Sequence, residues 1–285
     1  MNTTSPQQQH TPASWHGGVL SIDLAALASN YRCLSQHAGP AETAAAVKGD
    51  GYGLGLDQVV RTLSRAGCRT FFVAHLGEAE ALRRIFPPDD ATIYVLNGLM
   101  PAMAPALAAI HARPVLGSVE EIEEWRSFAN AHSAPPAAIH IDTGFTRLGL
   151  SPGELDDLVG ANELFSGMEV ALLMSHLACA DEPEHPMNRE QLARFRQAVE
   201  LFTDTPASLA NSAGIALGTG FHFDLVRPGI ALYGGRAWVS GENAMQRVIG
   251  LDVPILQIRD AETGSTAGYG ATYQFERMSK VALVS

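Results

Sequence analysis

Cysteine is scarce in this chain. There are three in 285 residues (Cys33, Cys68 and Cys179), and no CxxC pair among them. That spacing supports neither a disulfide framework nor a zinc ribbon, and it fits a reducing cytoplasm. Charge is sparse too, at 17% of residues, and unbalanced: Lys plus Arg is 19 against 30 for Asp plus Glu, a net charge of -11. An acidic surface repels polyanions, so nucleic acid and anionic membranes are excluded as general partners. An anionic ligand would need a local site. No apolar run reaches 18 residues, so no helix is expected to span a membrane. Residues 1–18 lack a basic start and an apolar stretch, and read as a disordered tail rather than a signal peptide. No HxH or HExxH pattern offers a metal site. What is present is apolar material, 46% of the chain, enough for one large core or two ordinary ones.

That material is organised. Short apolar runs predict strands at Ala44–Val47, Thr70–Ala74, Thr92–Leu96, Arg113–Leu116, Ala137–Ile141, Met168–Met174, Ala207–Ala210 and Asp224–Val226. Helical patterns fill the gaps. Leu56, Val59, Val60 and Leu63 have the spacing of one helix face. Glu78–Phe86 places acids before arginines, Ser118-Val-Glu-Glu121 is a capping box for a helix to about Ala131, and Pro186 opens a helix to Phe202. Ser212–Leu217 reads as a short helix, and Asp23 as the N-cap of a helix carrying Leu24, Leu27, Tyr31 and Leu34. Eight alternating strands predict an α/β chain whose main body is a (β/α)8 TIM-type barrel. An open doubly wound sheet is the alternative, but Lys48-Gly-Asp-Gly-Tyr-Gly-Leu-Gly55 is not a GxGxxG fingerprint. The expected organisation is a tail at 1–18, a barrel at 19–245, and the start of a mainly β domain at 246–285, which the Val19–Asp23 strand could join. Arg247–Ile258, Thr266–Tyr273 and Val281–Val284 read as its strands, and the chain stops within it.

Barrel chemistry sits where strands end. Strand one delivers Lys48, which reads as a surface lysine or as an amine whose pKa desolvation lowers for Schiff-base chemistry. The four glycines in the next seven positions would let backbone approach a ligand. Strand five leads to His140 and Arg147, and strand six to His176. Asn211-Ser212 after strand seven reads as a helix cap, a phosphate site or both, with Arg227-Pro-Gly229-Ile230 following strand eight. Tyr269, between two glycines, is a packing residue or a held phenol able to act as acid or base.

Six ordered segments resemble alanine racemases: AAAVKGDGYGLG, IDTGFTRLGL, SHLACADEP, ANSAG, DLVRPGIALYG and GYGATY. The first is similar to that family's pyridoxal-phosphate lysine segment, written AVVKANAYGHG or AVVKADAYGLG. The resemblance runs from about Val19 to Ser285. It implies a barrel followed by a β domain, pyridoxal 5'-phosphate as cofactor, and interconversion of L-alanine and D-alanine for peptidoglycan in the cytoplasm. It implies that Lys48 carries the cofactor and serves the D-alanine face, while Tyr269 serves the L-alanine face from across a homodimer interface. Tyr52, Ser212, Gly229 and Ile230 would bind the phosphate, with Asn211 nearby. Arg227 would face the pyridine nitrogen, Arg147 the phenolic oxygen and substrate carboxylate, and His176 would link Arg227 to Tyr269. Arginine cannot share a proton with the ring nitrogen as a carboxylate can, which would keep that nitrogen unprotonated.

The chain departs from the family pattern twice. His140 stands where the family often has a carbamylated lysine, so Arg147 loses that brace. The later segments of the family's β domain do not follow Ser285, and unpaired strand edges favour aggregation. A polypeptide ending there is expected to be poorly soluble or nearly inactive. Rival readings are a racemase of broader, serine or lysine specificity, and a non-catalytic pyridoxal-phosphate barrel, against which GYGATY argues.

Overall fold

The computed structural model describes residues 17–160, 165, 167–237 and 243–285. The tail expected at 1–18 therefore lies, up to residue 16, outside the described residues. The chain divides into two compact units. One is Asp23–Val248, and the other joins the N-terminal segment to Ile249–Ser285.

The larger unit is built on parallel strands. After β1 (Val19–Ile22) come β2 (Glu42–Thr43), β3 (Ala45–Ala46), β4 (Thr70–Val73), β5 (Thr92–Val95) and β6 (Arg113–Leu116). They are followed by β7 (Ala137–His140), β8 (Val170–Met174), β9 (Ala207–Ser208) and β10 (Leu225–Val226). Strands β3 to β9 form one sheet in sequence order, every pairing parallel. β10 pairs parallel with β2. Two bonds tie β10 to β9: Asp224 N–H donates to the Ala207 carbonyl at 3.0 Å and Arg227 N–H to that of Ala210 at 2.9 Å. The sheet thus closes into a (β/α)8 barrel. β2 and β3 are two halves of its first strand, one facing β10 and the other β4. Ala44 between them still donates to the Val226 carbonyl at 3.0 Å.

Every barrel strand lies between crossover segments, and inward residues meet along the axis. Ala44, Phe72, Tyr94, Val115, Ala138, Leu172, Met174 and Leu225 form that buried column. The helices bury the outer face. Leu56–Arg65 turns Leu56, Val59, Val60 and Leu63 inward, each contributing about 1.5–3 kcal/mol of apolar burial. Asp23 caps its helix by accepting from Ala26 N–H at 2.9 Å.

Some expectations need correction. The helix after β4 is Leu76–Arg83, and it begins two residues before Glu78 because His75 and Glu78 make the capping box. Ser118 Oγ caps Glu121 N–H at 3.3 Å, but the Glu121 carboxylate does not return to Ser118. Helices at Ala104–Ala109 and Pro152–Gly160 were not singled out in the sequence, the first because Pro105 and its alanines give no clear apolar period.

The smaller unit consists of β-ribbons. β11 (Ile249–Asp252) pairs antiparallel with β1. β12 (Ile255–Ala261) pairs with β15 (Ser279–Val284), and β13 (Thr266–Ala267) with β14 (Tyr273–Gln274). Arg247–Ile258 is therefore two strands, divided at Pro254, which has no N–H for a ladder. Thr266–Tyr273 is a hairpin rather than a strand. Gly268 and Gly270, at φ 77° and 73°, turn the chain through the Tyr269–Ala271 corner.

Candidate active site

Lys48 stands one residue beyond Val47, whose N–H donates to the Phe72 carbonyl at 2.9 Å and extends β3 along β4. The next four residues, Gly49, Asp50, Gly51 and Tyr52, have φ of 66°, 55°, 64° and 57°. They make one left-handed turn, closed by bonds from Gly51 N–H to Val47 O and from Gly53 N–H to Gly49 O at 2.9 and 2.7 Å. Such a turn costs about 1–2 kcal/mol per L-residue, so alternate glycines halve the penalty. The glycines here meet a need of chain geometry that sequence spacing does not show. The turn places Lys48 and Tyr52 on the same wall.

That wall belongs to a cavity of about 350 Å³ at the C-terminal rim of the barrel. Of the residues singled out in the sequence, Lys48, Tyr52, His176, Asn211, Ser212, Arg227, Gly229 and Ile230 all line it. The loops after β9 and β10 meet because Asn211 and Arg227 form a parallel bridge. Asn211 Oδ1 accepts from Gly214 N–H at 2.9 Å and caps the Ser212–Ala216 turn. Ser212 Oγ accepts from the N–H groups of Gly229 at 2.8 Å and Ala231 at 3.3 Å. With both lone pairs engaged, the Ser212 hydroxyl has its hydrogen left to donate. Gly229 has given up its N–H, so its contribution is the side chain it lacks. A Cβ there would stand 2.3 Å from the Tyr52 hydroxyl.

The cavity is electropositive within an acidic protein. Arg227 is 5% exposed, and it donates to Ser208 Oγ and to the carbonyls of Ser175 and Leu209. Its guanidinium also lies 5.9 Å from the Phe72 ring. All these partners are neutral, and none of the ion pairs among the described residues includes Arg227 or Lys48. Burial lowers the Lys48 pKa, the Arg147 charge lowers it further, and Glu78 opposes both. Asp181 also lines the cavity, while carboxylates of the neighbouring loops are spent on backbone. Asp50 accepts from Leu56 N–H at 2.8 Å, and Asp142 from Gly144 and Phe145 N–H at 2.9 Å. Glu121 accepts from Leu99 and Gly117 N–H at 3.0 and 2.6 Å.

His176 lines the cavity, and burial, with Arg227 next, pulls its pKa down to about 3. Its ring meets Phe145 edge-on at 5.4 Å, and Phe145 in turn carries Arg147 at 4.2 Å from its ring centre. Arg147 itself lines a second cavity of about 290 Å³, together with His140. Burial, then Arg227 and Arg147, depress His140 to about 4. His140 is 7% exposed, so its neutral form belongs to the folded state and an ordinary pKa of about 6.5 to the unfolded one. Above pH 6.5 neither state binds this proton. As pH falls from 6.5 toward 4, only the unfolded state takes it, and about 3 kcal/mol of stability is lost. His140→Gln should therefore flatten the decline in melting temperature between pH 7 and 4.5. An unchanged slope would remove His140 from the acid response.

Tyr269 lies in the smaller unit, at the hairpin corner, with 105% relative exposure. Among the described residues, no hydrogen bond or ring contact involves it.

Two residues of the rim escaped sequence reasoning. Glu78 was read only as a helix-start acid. Gln191, one turn into the Pro186–Leu201 helix, is fully buried. Its amide donates to Thr143 Oγ1 at 3.1 Å and to the His176 carbonyl at 2.9 Å, and accepts from Ala178 N–H at 2.8 Å. A polar residue among the inward positions of that helix was the available signal.

A closed (β/α)8 barrel that gathers a lysine, an arginine and hydroxyl donors into one cavity at its C-terminal rim has the architecture of a barrel enzyme. Comparison with known proteins agrees. Residues 22–237 match the alanine racemase N-terminal domain family. The catabolic alanine racemase of Agrobacterium fabrum is 47% identical over 282 residues, 99% of this chain and 72% of that protein. The alanine racemase of Methylobacterium nodulans is 49% identical over 264 residues, 92% of this chain and 70% of that protein. The crystal structure of alanine racemase from Bartonella henselae with covalently bound pyridoxal phosphate superimposes with a TM-score of 0.87 at 36% identity. It covers 95% of this chain, which spans 75% of that one. The chain belongs to the alanine racemase family, isomerases that depend on pyridoxal phosphate.

Proposed function

We propose that the chain interconverts L-alanine and D-alanine with two bases, Lys48 on one face of the substrate and Tyr269 on the other. The observation that carries this reading is the shared cavity. It holds an amine, a spare hydroxyl hydrogen and a buried guanidinium, with no carboxylate paired to either cation. An anionic phosphate and an amino-acid carboxylate are what such a site lacks.

The residues fit the cofactor. Ser212 donates its hydroxyl hydrogen to the phosphate, the side-chain-free surface of Gly229 admits that group beside Tyr52, and Ile230 and Asn211 complete the corner. Pyridoxal phosphate, when bound, supplies an electron sink for the charge left by removal of the α-proton. Lys48 Nζ binds it, and once released takes or returns the proton on the D-alanine face. Burial and the Arg147 charge lower its pKa, which favours the unprotonated amine. Tyr269 Oη does the same on the L-alanine face. Arg227, held rigidly by neutral acceptors, stays a cation and gives the ring nitrogen a donor rather than a proton acceptor. Arg147, oriented on Phe145, meets the substrate carboxylate. His176 and His140 are neutral at pH 7 and add no charge. His176 links Arg227 toward the phenol.

Tyr269 serves this role from a partner subunit, in a homodimer with two composite sites. What supports this is its exposure, since a phenol with no hydrogen bond or ring contact among the described residues is poised for another chain. The role is supply of D-alanine for peptidoglycan in the cytoplasm. No described helix is long and apolar enough to cross a membrane.

Circular dichroism of L-alanine incubated with the protein and pyridoxal phosphate tests the reaction. Persistent ellipticity would refute it, and faster turnover of serine or lysine would shift the substrate. Gly229→Ala forces a methyl group against the Tyr52 hydroxyl. It should weaken cofactor binding by tenfold or more, roughly 1–3 kcal/mol for an overpacked contact. Equilibrium titration of the apoprotein reads this directly.

A further inference from the structure

We propose that Glu78 is a positioning residue for Lys48, acting as a clamp between two strand ends. The inference rests on the reading that Lys48 attaches the cofactor. A glutamate at the third position of a helix ordinarily reaches back only to the N-cap N–H. Here one carboxylate oxygen does that, accepting from Ala74 N–H at 2.7 Å and His75 N–H at 3.3 Å, beyond β4. The other oxygen crosses to the first strand and accepts from Gly49 N–H at 2.5 Å and Asp50 N–H at 3.4 Å. Gly49 directly follows Lys48, so its peptide plane sets the direction in which the lysine leaves the backbone. The turn it opens is left-handed, a conformation that L-residues populate poorly. Four N–H donors on one carboxylate supply what local preference does not. Lys48, Tyr52 and Glu78 also border one further surface hollow, so clamp and amine are immediate neighbours.

The phosphate corner shares only Tyr52 with the clamped turn. Ser212 and Gly229 lie in the loops after β9 and β10, and their hydrogen bonds involve neither Glu78 nor the turn. Loss of the clamp should therefore displace the amine far more than it weakens phosphate binding. Glu121 provides an internal comparison. Its two oxygens join the loop after β5 to the end of β6 in the same way, but no lysine follows there.

Two ligands separate the effects. Pyridoxal phosphate condenses with the Lys48 amine, releasing water. Pyridoxamine 5'-phosphate has the same ring and phosphate but no aldehyde, so it reads the pocket alone. Both are added to the apoprotein carrying Glu78→Gln, Glu78→Asp or Glu121→Gln. Gln offers one acceptor and turns an N–H toward an N–H. Asp keeps the charge but is too short to span both strand ends. Both Glu78 variants should attach pyridoxal phosphate at least tenfold more slowly, with pyridoxamine 5'-phosphate affinity within twofold of wild type. Glu121→Gln should attach at the wild-type rate, even where it lowers the melting temperature as much. Attachment at the wild-type rate in either Glu78 variant overturns the proposal, and so does a parallel loss of pyridoxamine 5'-phosphate affinity. Wild-type protein that attaches no cofactor overturns both this inference and the Lys48 reading beneath it.

Discussion

Lys48→Ala should lower alanine racemisation by about 10³-fold or more and abolish covalent attachment of the cofactor, while leaving its phosphate end bound. The size follows from two losses at once. General acid–base catalysis by a placed group contributes about 10²–10⁴-fold, and here the same amine also fixes the cofactor's position. The separation follows from where the groups sit. Lys48 comes from the first strand, and Ser212 and Gly229 from the loops after β9 and β10. Removing three methylenes and an ammonium from the rim cuts none of the hydrogen bonds that build the phosphate corner. Absorbance of the bound cofactor, dialysis and the rate of ellipticity loss from L-alanine give the three readings. A variant that racemises at a tenth of the normal rate would remove Lys48 from the proton transfer.

Mixing two inactive variants should restore activity. Tyr269→Phe keeps the ring and deletes only the hydroxyl, so turnover should fall about 10²–10⁴-fold with cofactor attachment unchanged. In a dimer that pairs Lys48→Ala with Tyr269→Phe, composite sites have unequal fates. One site receives both substitutions. The other receives Lys48 from the Tyr269→Phe chain and Tyr269 from the Lys48→Ala chain, and is wild type. Random exchange makes half of the dimers mixed, so about a quarter of wild-type activity should return. If each chain used its own tyrosine, every site would carry one lesion and nothing would return. The result distinguishes action across an interface from action within a chain, without any structure of the dimer. The basis is the corner at Tyr269–Ala271, which leaves the Tyr269 ring fully exposed.

Much of the barrel was readable from pattern. Each inward residue of the axial column sits in a short apolar run, and buried parallel strands need no polar face. The errors concentrate where a local signal has two solutions. The left-handed turn after Lys48 was not legible, because sequence spacing does not report the sign of φ. Thr266–Tyr273 looked like one strand, because its β-branched and aromatic residues fit a ribbon whether or not Gly268 and Gly270 bend it. Arg147 was expected beside the other site residues. Its place over Phe145, lining the neighbouring cavity with His140, depends on how the loop after β7 folds around Asp142.

The sequence by itself determined the alternation of strands and helices, the residue type at each strand end, and the acidic balance with few cysteines. These are properties of composition and period, which the chain carries before it folds. Only the tertiary structure decided that the barrel closes through a split first strand, and that Asp50, Glu78, Glu121 and Asp142 accept from backbone N–H groups. Those outcomes depend on contacts between residues far apart in the chain, such as Asn211 with Arg227 and Glu78 with Gly49. The acidic balance describes the protein as a whole. The positive cavity is different: it arises because folding buries Arg227 among neutral acceptors and brings Lys48 to the same wall, with neither cation in an ion pair among the described residues.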